Sequence, residues 1–232
     1  KAAKVTTAKT SYKLWHKNKA AVAGVSANKS QAKMELLPIL RQIVLNGDIH
    51  IGDLQFANVH FRDVNMQIGG DNGNINIDPL SCKFYQGSIS GALDVNLRKA
   101  MPTFNLTANA ANVVTQSLLK DVMSSSKLSG IAAVKVKLAT VGNSANLMLK
   151  NLHGKSWLRI MNGSFYGVDI RYQIERVKAL IKGTVPQLQE SQPPRTAFSQ
   201  LSGNFNVVNG VANTNDLLLQ SPYFKVNGKG SA

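Results

Sequence analysis

Between Gly47 and Ile68 the chain alternates apolar and polar residues almost without a break: Ile49 and Ile51, then Leu54 and Phe56, then Val59 and Phe61, then Val64, Met66 and Ile68. A period of two held over that length excludes a helix and specifies strands with one wet face and one apolar face. Gly69-Gly70-Asp71-Asn72-Gly73 is a turn by composition, after which Ile75 and Ile77 alternate again. Pro79 breaks that run, Leu93, Val95 and Leu97 resume it, and Pro102 opens TFNLTANA. Three further strand signals lie between Gly130 and Gly163: IAAVKVKLATV, ANLMLKNL and KSWLRIM. The last third adds FSQLSGNFNVV, VANTNDLLLQS and YFKVNGKGSA. Gly47-Asp-Ile-His-Ile and Gly73-Asn-Ile-Asn-Ile share one pattern at an offset of 26 residues, and Gly203-Asn-Phe-Asn-Val207 repeats it. Each is a turn glycine leading into an alternating strand, the pattern of hairpin arrays.

Helical spacing occurs in three places only. Residues 31–46, QAKMELLPILRQIVLN, put Leu36, Leu37, Leu40, Ile43 and Val44 on one stripe, with Asn46-Gly47 as the stop. NVVTQSLLKDVMSSS groups Val114, Leu118, Leu119 and Val122. YGVDIRYQIERVKALIKG spaces Ile170, Ile174, Val177 and Ile181 with a period near 3.6, Leu180 widens the stripe, and Gly183 ends it. TVPQLQESQPPRT then reads as a long surface loop. The expected fold is therefore mainly β: a large curved antiparallel sheet, groove-like or sandwich-like, with about three short amphipathic helices.

Charge divides the chain in two. Residues 1–33 hold eight of the 27 Lys and Arg and none of the 12 Asp and Glu. With their Ala, Thr and Ser they lack a periodic apolar face and cannot offset the entropy of ordering. Residues 1–30 thus read as a basic flexible arm, able to touch an anionic membrane surface, and residues 31–232 as one β-rich domain. The single cysteine, Cys82, excludes an internal disulfide and reads as a small core residue. No run approaches the 18 apolar residues that a membrane-spanning helix needs.

No catalytic constellation emerges. His16, His50, His60 and His153 are scattered at no metal-ligand spacing, and His50 and His60 fall on polar strand positions that face solvent. Asp48, Asp53, Asp63, Asp71 and Asp78 sit near turns, and no nucleophile elbow or phosphate loop is present. Lys135, Lys137, Lys150, Lys155, Arg159, Arg171, Arg176 and Lys178 are dispersed rather than interleaved with stacking aromatics, which argues against nucleic acid. The reading is a protein that is not an enzyme and has no cofactor and no metal.

From about Leu36 onward the order of motifs resembles the C-terminal region of the AsmA family. Asn72-Gly73 leads to Ile75, Ile77 and Pro79; Phe84-Tyr85-Gln86-Gly87-Ser88 is similar to that family's LYGG strand, with Gln86 as an interruption. Leu128-Ser129-Gly130, Gly142-Asn143-Ser144, Leu152-His153-Gly154 and Gly167-Val168-Asp169-Ile170 follow in order. Gly210-Val211, Leu217, Ser221-Pro222 and Gly228-x-Gly230 complete the series. The resemblance implies a bacterial envelope protein held in the inner membrane by a helix outside this sequence, facing the periplasm and serving outer-membrane biogenesis. It implies lipid binding and lipid transport along an apolar β-groove, with phospholipid or another acyl-chain lipid as partner and no protein partner specified. No catalytic or binding residue transfers with it.

On the residues themselves, the groove falls to Leu93, Val95, Leu97, Phe104 and Leu106, which share parity on two strands joined by the Pro102 turn. Two function classes stay open at this point. The apolar face is either a lipid groove, or closed core in a structural domain that assists outer-membrane protein insertion. In the second case helices, or a second sheet layer, would cover it.

Overall fold

A computed structural model of the chain describes residues 4–6, 44–56 and 58–232. The described strands form one antiparallel sheet whose spatial order is the chain order. They are β1 (Lys4–Thr6), β2 (Leu45–Phe56), β3 (Val59–Asp71), β4 (Asn74–Phe84), β5 (Gly87–Asn96) and β6 (Thr103–Val114). β7 (Leu128–Val141), β8 (His153–Tyr166), β9 (Arg195–Val208), β10 (Val211–Gln220) and β11 (Lys225–Ser231) complete the meander. Three helices interrupt it: α1 (Thr115–Met123) between β6 and β7, α2 (Ala145–Lys150) between β7 and β8, and α3 (Ile170–Lys182) between β8 and β9. The outer strands β1 and β11 do not pair with each other, so the sheet is an open ribbon rather than a barrel.

Most of the alternating runs are strands, with three corrections. ANLMLKNL, expected to be extended, instead forms α2. Ser144 accepts the Leu147 N–H as an N-cap, and Ala, Leu, Met and Lys all favour a helix once a turn is nucleated. Of the helix expected over residues 31–46, most lies outside the described residues, but Leu45 and Asn46 already belong to β2, paired with Gly70 and Gly69. Pro79 does not end its strand. β4 passes through it with a slip in register between Ile77 and Leu80, so the ring sits where no ladder N–H is needed. Asp48, Asp53, Asp63 and Asp78, read as turn residues, lie inside strands, and Asp63 occupies a left-handed bulge position while pairing with Lys83 at 2.7 Å.

A row of bulges bends the sheet near α1. Asn112, Gly130 and Asn162 take positive φ on the neighbouring strands β6, β7 and β8. The β6–β7 register shifts between Ala110 and Val113, and the β7–β8 register between Ser129 and Ile131. Asn and Gly suit these positions because both tolerate the left-handed region. The extra residue lets Ala110 and Val113, three apart, reach the same packed cluster. That cluster is Val113, Ala132, Ile160 and Phe198, ringed by Phe84, Leu118, Leu158 and Leu201. A Cβ at Gly163 would collide with the Phe198 ring and the Ser129 carbonyl, so this junction admits only glycine.

Asp169 anchors α3 at the same end. Its carboxylate is 2% exposed and accepts the N–H groups of Tyr172 and Ser191, each at 3.0 Å. Burial alone would raise its pKa, but those backbone N–H groups, the Ser191 hydroxyl and Arg171 outweigh burial and hold it below the usual carboxylate value of 3.8. Such a group stabilises the fold fully above its unfolded pKa and less as pH falls through the depressed folded value. Asp169→Ala is expected to cost about 2 kcal/mol at pH 7 in urea denaturation. The deficit should shrink as pH falls below about 4; a deficit constant down to pH 2 would show that the carboxylate charge is not what holds α3.

Candidate functional site

Four of the five residues, Leu93, Val95, Phe104 and Leu106, lie on paired positions of β5 and β6. Leu93 faces Leu106 and Val95 faces Phe104 as direct cross-strand partners of β5 and β6. The rows extend outward to Ile77 and Ile75 on β4, and to Leu138 and Thr140 on β7. Direct partners on one face lie about 5 Å apart, so the Leu93–Leu106 row is a continuous apolar strip across four strands, while the Val95–Phe104 row ends at buried Thr140, whose hydroxyl donates to the Met148 carbonyl of α2. Leu97 lies just past β5, 5% exposed, with its N–H bonded to Gly73 O at 2.7 Å. Leu93, Val95, Phe104 and Leu106 are only half-buried. Ile77, Ile75 and Leu138 belong to the same surface, and the alternation of their own strands was the signal for them.

What covers this face decides what it can do. The extensive contacts between described strands are all between ladder neighbours, so the sheet does not fold into a second layer, and the sandwich alternative falls away for the described residues. The helices pack mainly on β3, β6, β7 and β9. α1 places Leu118 on the packed cluster, and Tyr85 holds it there by donating to the Asp121 carboxylate at 2.7 Å. Burial, reinforced by that hydrogen bond, pushes the Tyr85 pKa up to about 12, so the phenol keeps its proton at physiological pH. The apolar face is therefore closed core beneath α1. Toward the opposite end, through Leu106 and Phe104, it stays half-open.

The polar face holds a second feature. Lys135 and Arg159 lie over the Trp157 ring, 5.7 and 5.4 Å from its centroid. Lys137 and Lys155 are direct cross-strand partners, and with Lys135 and Trp157 they help wall a shallow depression of about 610 Å³. Bases that look dispersed along the chain are thus gathered around one ring by the register of β7 and β8. Like charges directly opposite on a sheet repel, so this face attracts anions.

The described histidines lie apart from both features. His50 and His60 are exposed, and His50 bonds Asn65 at 2.7 Å. His153 bonds the Asn151 carbonyl at 3.0 Å. Among the described residues no group of three His, Cys, Asp or Glu could hold a metal ion, and no helix is long and apolar enough to cross a membrane. Cys82 is buried on β4, and burial pushes its thiol pKa up. Ellman's reagent at pH 8 is expected to label it at least tenfold more slowly than the same chain in urea. Equal rates would mean that the β4 interior is accessible.

The family model described as the AsmA family matches residues 2–217. Neither a curated protein nor a solved structure matches the chain.

Proposed function

The chain belongs to the AsmA family, and from that premise we propose that it serves the bacterial envelope by holding the acyl chains of phospholipid along the half-open part of its apolar sheet face. The supporting observation is the pair of apolar rows through Leu93–Leu106 and Val95–Phe104, which no second layer of described sheet covers. Half-buried apolar rows with no sheet layer over them offer a surface to an apolar ligand. Its length suits the cargo: the Leu93–Leu106 row crosses four strands, from Ile77 to Leu138, about 15 Å at the spacing of neighbouring strands, against about 15 Å for one leaflet of a 30 Å hydrocarbon core. The role is one of binding and conduction rather than chemistry, exercised on the periplasmic side of the inner membrane. The alternative, a structural domain that assists outer-membrane protein insertion, needs a closed face, and the packed cluster beneath α1 supports it over that part of the sheet alone.

Native mass spectrometry of the purified chain tests the reading. Adducts of phospholipid mass that survive buffer exchange are expected. A chain that stays lipid-free after incubation with phospholipid vesicles would overturn it.

A further inference from the structure

The two longer helices lie at one end of the sheet, since both span the same pair of strand ends: β6 runs into α1, β8 runs into α3, and Leu128 at the start of β7 pairs with Phe165 at the close of β8. Neither helix uses its whole apolar stripe against the sheet. α3 buries Ala179, while Val177, Leu180 and Ile181 are 56%, 71% and 82% exposed, and Val185 just beyond the helix is 76% exposed. Residues 177, 180 and 181 are spaced i, i+3, i+4 and make one ridge. α1 adds Val122 and Met123 at its exposed end, and the β2 terminus adds Phe56. Cations share the C-terminal half of α3 with the ridge: Arg176, Lys178 and Lys182, against the helix's single acid Glu175, while Arg171 in the first turn lies over the Tyr223 ring at 5.7 Å.

An apolar ridge left in water, flanked by Lys and Arg on a helix that is otherwise polar, is the composition of a helix lying in a membrane interface. Long lysine stems lie along the ridge and lift their ammonium groups to the headgroups, and an anionic leaflet attracts them. We infer that this end of the domain seats on an anionic bilayer surface, with Leu180 and Ile181 at the boundary between headgroups and acyl chains and Lys178 and Lys182 on the phosphates. The inference stands on exposure and charge at α3, and not on lipid in the groove.

The test is flotation of the full chain with vesicles of phosphatidylglycerol and phosphatidylethanolamine. The double variant Leu180→Glu/Ile181→Glu alters only side chains already in water, and its circular dichroism and melting should match wild type. At least a tenfold loss of vesicle binding is expected, while Leu149→Glu, at the opposite end of the sheet, binds as wild type does. In a Cys82→Ala background, a polarity-sensitive dye on Ile181→Cys should shift to the blue when vesicles are added. Unchanged flotation of the double variant would assign binding to the Lys-rich arm and overturn the inference. So would an unshifted dye, as when α3 is covered by another segment of the chain, or equal binding to neutral phosphatidylcholine vesicles. Lipid adducts in mass spectrometry are read separately, so a failed groove and a failed seat are told apart.

Discussion

Ile160→Glu is expected to unfold the domain, costing on the order of 4 kcal/mol, most of the margin of a marginally stable fold. Ile160 is 4% exposed, between Val113, Ala132 and Phe198 at 2%, 5% and 3%. A carboxylate there meets only hydrocarbon, because the neighbouring Arg159 points to the other face of the sheet, over Trp157. It must either stay charged without a partner or take up a proton, and both are costly. Ile160→Val removes one methylene and should cost only about 1 kcal/mol. Urea denaturation followed by circular dichroism reads both. An Ile160→Glu midpoint within error of the Ile160→Val midpoint would mean that the α1 end is not the closed core described above.

Period-two alternation was enough to place β3, β5, β6 and β9, because a strand with one buried face must repeat every second residue. It also put Leu93, Val95, Phe104 and Leu106 on one face, while the pairing of Leu93 with Leu106 and of Val95 with Phe104 needed the register of β5 and β6. Runs of two or three periods were ambiguous. Leu147 and Leu149 alternate as a strand would, yet also fit one helical turn, and the Ser144 cap decides between them. Alternation alone could not separate these; the Ser144 cap is the local signal that does.

Tertiary placement escaped the sequence for a different reason. The stripe of Ile170, Ile174, Val177 and Ile181 announces a helix that should bury this side, but α3 turns Ala179 to the protein and leaves Val177 and Ile181 outside. Periodicity reports that an apolar face exists and is silent on what meets it. The Trp157 cluster was hidden likewise: Lys135 and Trp157 are 22 positions apart and meet only through the β7–β8 register. The bulge row was half visible. Asn112, Gly130 and Asn162 have the right chemistry for positive φ, but many other Asn and Gly residues in the chain do too.

Val95→Glu puts the same charge on the same sheet face as Ile160→Glu, with the opposite outcome expected. Val95 is half-exposed on β5, flanked by Ile75 and Phe104 rather than enclosed by them. Water can reach a carboxylate there, so the fold should stay within about 1.5 kcal/mol of wild type. An acyl chain lying along the Leu93–Leu106 and Val95–Phe104 rows cannot tolerate it, because seating the lipid would strip that water from a charge with no partner. Bound phospholipid, counted by extraction or native mass spectrometry, should fall at least tenfold. Thr107→Glu is the matched control: Thr107 is exposed on the other face, opposite Lys137, and should keep its lipid. If Val95→Glu unfolds like Ile160→Glu, the face at Val95 is core and the structural reading gains. If it folds and keeps its lipid, the cargo lies elsewhere. Only a folded, lipid-free Val95→Glu beside a lipid-bound Thr107→Glu places the acyl chain on these two rows.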